Sequence, residues 1–306
     1  MTGLPCGFSS RCRCDDRKRH GNGFKALAAR VACATVGVMA VAPAQALLEP
    51  QARLGYVWTT KKIWKVHIMM VFTQRSLAVI GLVLGCATAN AEVTGGQIKV
   101  SQSGFTDDFS VAKTNVSGAL ELGFGAQFGL QLDLGVNMLN FADETATNIA
   151  AHGTYKLSDS TALGAFYGMD RIGGGQNDFF GVEAAKNFGT GGVQGYLARG
   201  EDSGDSGTVL GISGGAVLGN GFGVGASLDH GAFDGGASLT RLGLRGSFGL
   251  GEQSKMYAEI GTLNGEIDGL GSDSETYAKI GTTFDFGANS GLTFGDRSLF
   301  NLLPGL

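Results

Sequence analysis

The chain has 306 residues, with 23 Lys/Arg against 27 Asp/Glu, but its formal charge of −4 is the sum of two unlike parts. Residues 1–68 carry 11 basic and 3 acidic side chains, whereas the chain from Glu92 onward carries 11 basic and 24 acidic, a net −13 that argues against a nucleic-acid partner. All five cysteines and three of the four prolines precede Glu92, which excludes a disulfide framework or a cysteine metal site beyond it.

In chain order, the basic segment comes first. Arg17-Lys18-Arg19, the apolar run 26–41 and Ala44-Gln45-Ala46 have the outline of a signal peptide. A second outline follows at 69–91: Met69 or Met70, Arg75, an apolar core from Leu77 to Gly85, and Thr88-Ala89-Asn90-Ala91 as a small-residue cleavage site. Two in series do not both function conventionally. The expectation is that translation starts at Met69 or Met70, that 1–68 is an upstream or disordered extension, and that cleavage falls after Ala91, sending the product through the inner membrane. No stretch reaches the roughly 18 to 20 apolar residues of a membrane-spanning helix.

After Glu92 the pattern changes to a period of two. From Leu120 to Met138 every even position is apolar and every odd position is glycine or polar, the mark of strands with one greasy and one wet face. One strand of 19 residues would span about 60 Å at roughly 3.3 Å per residue, so the run reads as two strands joined by a turn near Gly125 to Gln127. The alternation recurs to residue 286, with short connectors such as Ser158-Asp159-Ser160 and Gly219-Asn220-Gly221. Longer, charged connectors such as 139–147, 171–177 and 264–274 lie between them. Strands of about ten residues with tight turns at one rim and longer loops at the other predict an all-β, transmembrane, antiparallel up-and-down barrel over 92–286. The segments number about twelve, with 10 or 14 as alternatives. A soluble lipocalin-like barrel also fits the alternation but not the connector lengths. Residues 287–306 form a C-terminal tail that either adds a strand or folds into the lumen.

With the apolar parity facing lipid, the other parity lines the interior. That places Glu121, Asp133, Lys156, Glu183, Arg241, Arg245, Lys255, Glu259, Lys279 and Asp285 inward. Lipid-facing Arg or Lys near the midplane would cost about 2 to 4 kcal/mol each, so the sorting is energetically required. Opposed charges across a water-filled pore would screen permeating solutes; alternatively they pair and plug a narrow barrel. The eighth and ninth segments favour a pore, because their inward set Gly211, Ser213, Gly215, Gly223, Gly225 and Ser227 lacks bulk.

The signal segment, the cysteine-free acidic barrel, the glycine-rich hairpins and the closing segment Tyr277-Ala278-Lys279-Ile280-Gly281-Thr282-Thr283-Phe284 together resemble the porin-like outer-membrane proteins of Gram-negative bacteria, particularly alphaproteobacteria. The resemblance implies an outer-membrane channel for passive diffusion of small polar solutes, contacts with outer-membrane lipid, and insertion by the barrel-assembly machinery. Phe284 and Phe286 suit the aromatic end of a last strand. General porins are usually sixteen-stranded trimers, a strand count for which this chain is too short. A structural or adhesive barrel with a plugged lumen is the alternative.

Catalytic and metal-binding patterns are sparse. His152-Gly153-Thr154 places an imidazole and a hydroxyl on one face, the minimum for a lipid hydrolase, but its parity turns it away from lipid. Glu201-Asp202-Ser203-Gly204-Asp205 gathers oxygens without the EF-hand spacing. Gly173-Gly174-Gly175 lacks the strand-to-helix setting of a nucleotide loop. The expectation is a non-enzyme with no cofactor or metal.

Overall fold

The computed structural model describes residues 91–202, 205–287 and 291–304. The extension 1–68 and the expected signal segment fall outside them, apart from Ala91. Twelve strands follow in order: β1 (Ala91–Phe105), β2 (Ala112–Phe124), β3 (Phe128–Leu139), β4 (Glu144–Ser158), β5 (Thr161–Ile172), β6 (Gly175–Asn187), β7 (Gly191–Asp202), β8 (Asp205–Gly219), β9 (Phe222–Phe233), β10 (Ala237–Gly249), β11 (Ser254–Ile267) and β12 (Gly271–Phe286). Each pairs antiparallel with its sequence neighbours, and β1 pairs with β12 from Gly96 opposite Phe286 to Phe105 opposite Tyr277, which closes the barrel. Closure leaves no unpaired strand edge, the condition for an open stretch of backbone to be avoided in hydrocarbon.

The period-two reading of 120–138 is the β2–β3 hairpin, turned through Gly125 and registered Leu120 opposite Leu132 and Phe124 opposite Phe128. At the β8–β9 turn the chain reverses through Asn220 at φ 51°, a residue type that tolerates the left-handed region.

Strand length departs from expectation. The strands run from 12 to 16 residues rather than about ten, and most of the anticipated long connectors are strand. The stretch 171–177 contracts to a turn at Gly173-Gly174, and 264–274 to 268–270. The reason is physical: polar and charged residues such as Arg171, Gln176, Asp178, Arg199 and Glu201 sit beyond the apolar belt. There the ladder continues as a ribbon, and their side chains bond along it, as in Arg171 Nε to Gln176 Oε1 at 3.0 Å and Arg199 Nε to Glu201 Oε1 at 3.2 Å.

The exterior is apolar over the middle of the wall. On β8 the outward residues Leu210, Ile212, Ala216 and Leu218 are exposed, while Val209 between them and the loop end is buried inside. Leu210 to Leu218 spans about 26 Å along the strand, or about 20 Å across a membrane at a tilt near 40°. Phe124, Phe128, Tyr155, Phe188, Phe222, Phe248 and Phe284 ring the turn-bearing rim from outside, with Phe128–Tyr155 and Phe222–Phe248 centroids 5.2 and 4.9 Å apart. Such a girdle belongs at a lipid–water boundary. Ile212→Lys should cost about 2 to 4 kcal/mol in urea unfolding from lipid vesicles, whereas its inward neighbour Ser213→Lys should cost under about 1 kcal/mol.

Candidate functional site

The interior holds two things, a plug made of the chain's own tail and a cavity beside it. Strand β12 delivers the chain to the turn rim, and residues 291–304 lie inside the barrel rather than adding a strand. Their contacts climb the wall in order. Gly291 sits against Gly95. The Thr293 amide donates to Glu121 Oε2 at 2.8 Å, and Phe294 exchanges bonds with Gln131 at 3.1 and 3.4 Å. The Gly295 amide and Arg297 Nη2 both donate to Gln194 Oε1, at 3.0 and 2.8 Å. Ser298 Oγ and the Leu299 amide donate to the two oxygens of Asp170, each at 2.8 Å. A single 3-10 turn, Leu299–Asn301, follows, capped by Ser298 Oγ accepting from the Phe300 amide. Near the loop rim Lys113 Nζ donates to the carbonyls of Phe300 and Leu303, and Ser103 Oγ to that of Pro304.

Arg297 is the central bolt. Its Nε donates to Glu183 Oε2 at 2.7 Å and its guanidinium stacks over Tyr196 at 4.5 Å. Glu183 in turn bonds His152 Nδ1 at 2.7 Å, and His152 Nε2 bonds Asp133 at 3.1 Å, all of them buried. With a carboxylate on each ring nitrogen, His152 has none left to draw a proton from a hydroxyl, so it does not meet the requirement of a hydrolytic base. Both ring positions bonded to carboxylates is the arrangement of a charged imidazolium bridging two acids.

The ten residues assigned inward on parity take the following places. Glu121, Asp133 and Glu183 bear on the tail directly or through His152 and Gln131. Arg241 bonds Asp229 at 2.7 Å and approaches Glu259 at 3.5 Å; Arg245 bonds Glu259 at 2.6 Å. Lys255 bonds Asp285 at 2.8 Å. Lys156 lines the cavity near the turn rim, and Lys279 lines its far wall. The carboxylates that face the tail, Glu121, Asp133, Asp170 and Glu183, lie on β2, β3, β5 and β6, whereas Asp229, Glu259 and Asp285 lie among the bases of the opposite side. The bases Arg241, Arg245, Lys255, Lys279 and Lys99 lie on β10 to β12 and β1.

The expectation of a wholly hydrophilic interior needs correction. Toward the loop rim the inward positions are Phe105, Phe179, Val209, Leu239, Leu263 and Tyr277, which with Phe166 form an apolar cluster that receives Leu299, Leu302 and Leu303 of the tail. Here the lumen is filled by chain rather than water, so the wall packs as an ordinary core.

Below this cap lies a cavity of about 920 Å³, open at the turn rim and bounded by the tail on one side. Its opposite wall includes Ser213, Gly215, Gly225 and Ser227, the bulk-free set on β8 and β9. Among the described residues no group of three or more His, Cys, Asp or Glu is arranged to hold a metal. Asp170, Asp229, Gln131, Gln194 and Lys99 were not among the ten. Asp229 and Lys99 share the inward parity and were legible on it; Arg297 sits in an aperiodic tail with no such signal.

A closed cylinder with an apolar outside and a polar, partly hollow inside is a transmembrane β-barrel. No family model and no curated protein matches the chain. Similar solved structures include a KdgM porin, at 12% identity and a TM-score of 0.46 over 62% of this chain and 99% of that one. A NanC porin is similar at 11% and 0.49, over 61% and 98%. The COG4313 outer membrane channel from Pseudomonas putida F1 is similar at 14% and 0.46, over 64% and 96%.

Arg297→Met should strand Glu183 in the wall and release the tail. We expect a loss of about 3 kcal/mol and cleavage of the tail by added carboxypeptidase while the barrel keeps its heat-modifiable gel mobility.

Proposed function

We propose that this protein is an outer-membrane, porin-like channel for passive entry of small polar solutes, with its C-terminal tail standing in the diffusion path. The observation that carries the reading is the solvent-sized cavity of about 920 Å³ inside a wall whose outer face suits lipid. A barrel built only as a membrane anchor has no need of a bulk-free glycine and serine face on β8 and β9 beside that space. The ends of the barrel and its tight turns would face the periplasm, as short turns do in such barrels. Outer-membrane lipid and the barrel-assembly machinery are then its surroundings and its route of insertion.

A second reading, a structural or adhesive barrel with a plugged lumen, is favoured by the tail's seating and by the exposed acids Asp107, Asp143, Glu144, Asp234 and Asp268 at the loop rim. Planar-bilayer recording of the purified protein and of a variant ending at Gly287 separates the two. The channel reading expects small or infrequent openings from the full chain and at least severalfold larger conductance without the tail. Silence from both, with each barrel folded by gel mobility, supports the structural reading and overturns the channel.

A further inference from the structure

The cavity's basic wall holds two lysine ammonium groups and a tyrosine hydroxyl that form no bond among the described residues. The strand registers place Ser101, Gly281 and Tyr257 in one row across β1, β12 and β11. The row below, toward the turn rim, is Lys99, Thr283 and Lys255; the row above is Ser103, Lys279 and Glu259. Tyr257 lies flat across Gly281: a Cβ there would fall 2.7 Å from its hydroxyl, so only glycine admits the ring in this pose. The hydroxyl is thereby carried toward β1, between the levels of the two lysines. Arg245 covers the other side of the ring, 4.3 Å from its centroid.

Tyr257 is 3% exposed and its Oη has no partner; Ser101, likewise 3% exposed, has an unpartnered Oγ. Lys99 and Lys279 line the cavity, and neither makes a hydrogen bond or ion pair among the described residues. The acid beside Lys279 in register, Glu259, is already committed to Arg245, Arg241 and the Tyr277 hydroxyl. Asp285 is committed to Lys255 and Gln97. The tail's Asp296 shares a void of about 20 Å³ with Lys99 but forms no ion pair with it. Two ammonium groups and the Tyr257 hydroxyl thus line one wall of the cavity with no bonded acceptor, and the nearest uncommitted carboxylate is Asp296 of the tail, whose Oδ2 is itself buried without a partner. A buried hydroxyl left this way is costly unless a partner completes it.

We infer that Lys99, Lys279 and Tyr257, which all line the cavity, form a binding site for a single oxyanion group, a carboxylate or phosphate carried by a small solute that enters from the turn rim. The inference deepens the channel reading by naming the chemistry of its solute, yet the site needs only the folded barrel with its tail in place. Charge-assisted bonds from the lysines supply the attraction, and the Tyr257 hydroxyl, turning to donate, fixes an oxygen. The tail covers Glu121, Asp133, Asp170 and Glu183, and of the acids that still line the cavity Asp229, Glu259 and Asp285 are paired with Arg241, Arg245 and Lys255.

The test is calorimetric titration of inorganic phosphate into the purified protein in an uncharged maltoside detergent, which carries no phosphate of its own. Saturable binding is expected, weakened at least tenfold in K99Q/K279Q and severalfold in Y257F, and unchanged in R171Q, an exposed residue at the loop rim away from the cavity. Gel mobility checks that each variant is folded, and Y257F stands in where the double variant does not fold. Absence of saturable binding in the parent protein overturns the site, as does binding of equal strength in K99Q/K279Q and Y257F. Conductance plays no part in the readout, so a silent barrel that binds phosphate refutes the channel and keeps the site, while a conducting barrel that does not bind refutes the site alone.

Discussion

Hydrocarbon offers a peptide group nothing to hydrogen-bond with, and the architecture of this protein follows from that. Twelve strands satisfy one another only because β1 returns to β12, and the even count brings both ends of the sheet to the same rim. The side chains obey the same solvent: with alternate residues forced to opposite faces, every strand must offer lipid its apolar set and keep its charges within. The interior is the one place where polar groups have freedom to be used, and the tail, leaving β12 at the turn rim, has immediate access to it.

Inside, electrostatics decides how that space is shared. The acids on β2 to β6 engage the tail's amides, Ser298 and Arg297, with His152 tying Asp133 to Glu183. The bases on β10 pair with acids of their own side, but Lys99 and Lys279 are left over. The tail thus acts as a selective filling. It consumes negative charge, and what remains hollow is positive, in a chain that is acidic over this whole region.

The wall was legible in the sequence because a period of two is a purely local signal that the lipid makes compulsory. Leu120 to Met138 read correctly as a hairpin, down to its turn, and the connector 219–221 kept its place. The strand ends did not read correctly, because Arg171, Glu201 and Asn264 look like loop residues when judged by polarity, whereas a ladder can continue above the membrane with any side chain. The apolar cap escaped for a related reason: Phe179, Val209 and Leu263 sit on the inward parity, and only knowledge that the tail reaches them explains why they are not polar. Arg297 and its partners are joined across more than a hundred residues of sequence, and nothing periodic links them.

The tail touches β1 to β3 and β5 to β7 through polar bonds, whereas β8 to β12 face the hollow and hold to one another by ladder bonds and the ion pairs at Arg241, Arg245 and Lys255. The cylinder is therefore unevenly braced, with one flank propped from within like a wall against a buttress and the other held by the tail only at the loop rim, where Val209, Leu239, Leu263 and Tyr277 share the apolar cluster with Leu302. Deformation under lateral pressure from the bilayer will concentrate where that flank borders the hollow, so any widening of the hollow begins at the glycine-rich face of β8 and β9, without the buttress having to leave its seat.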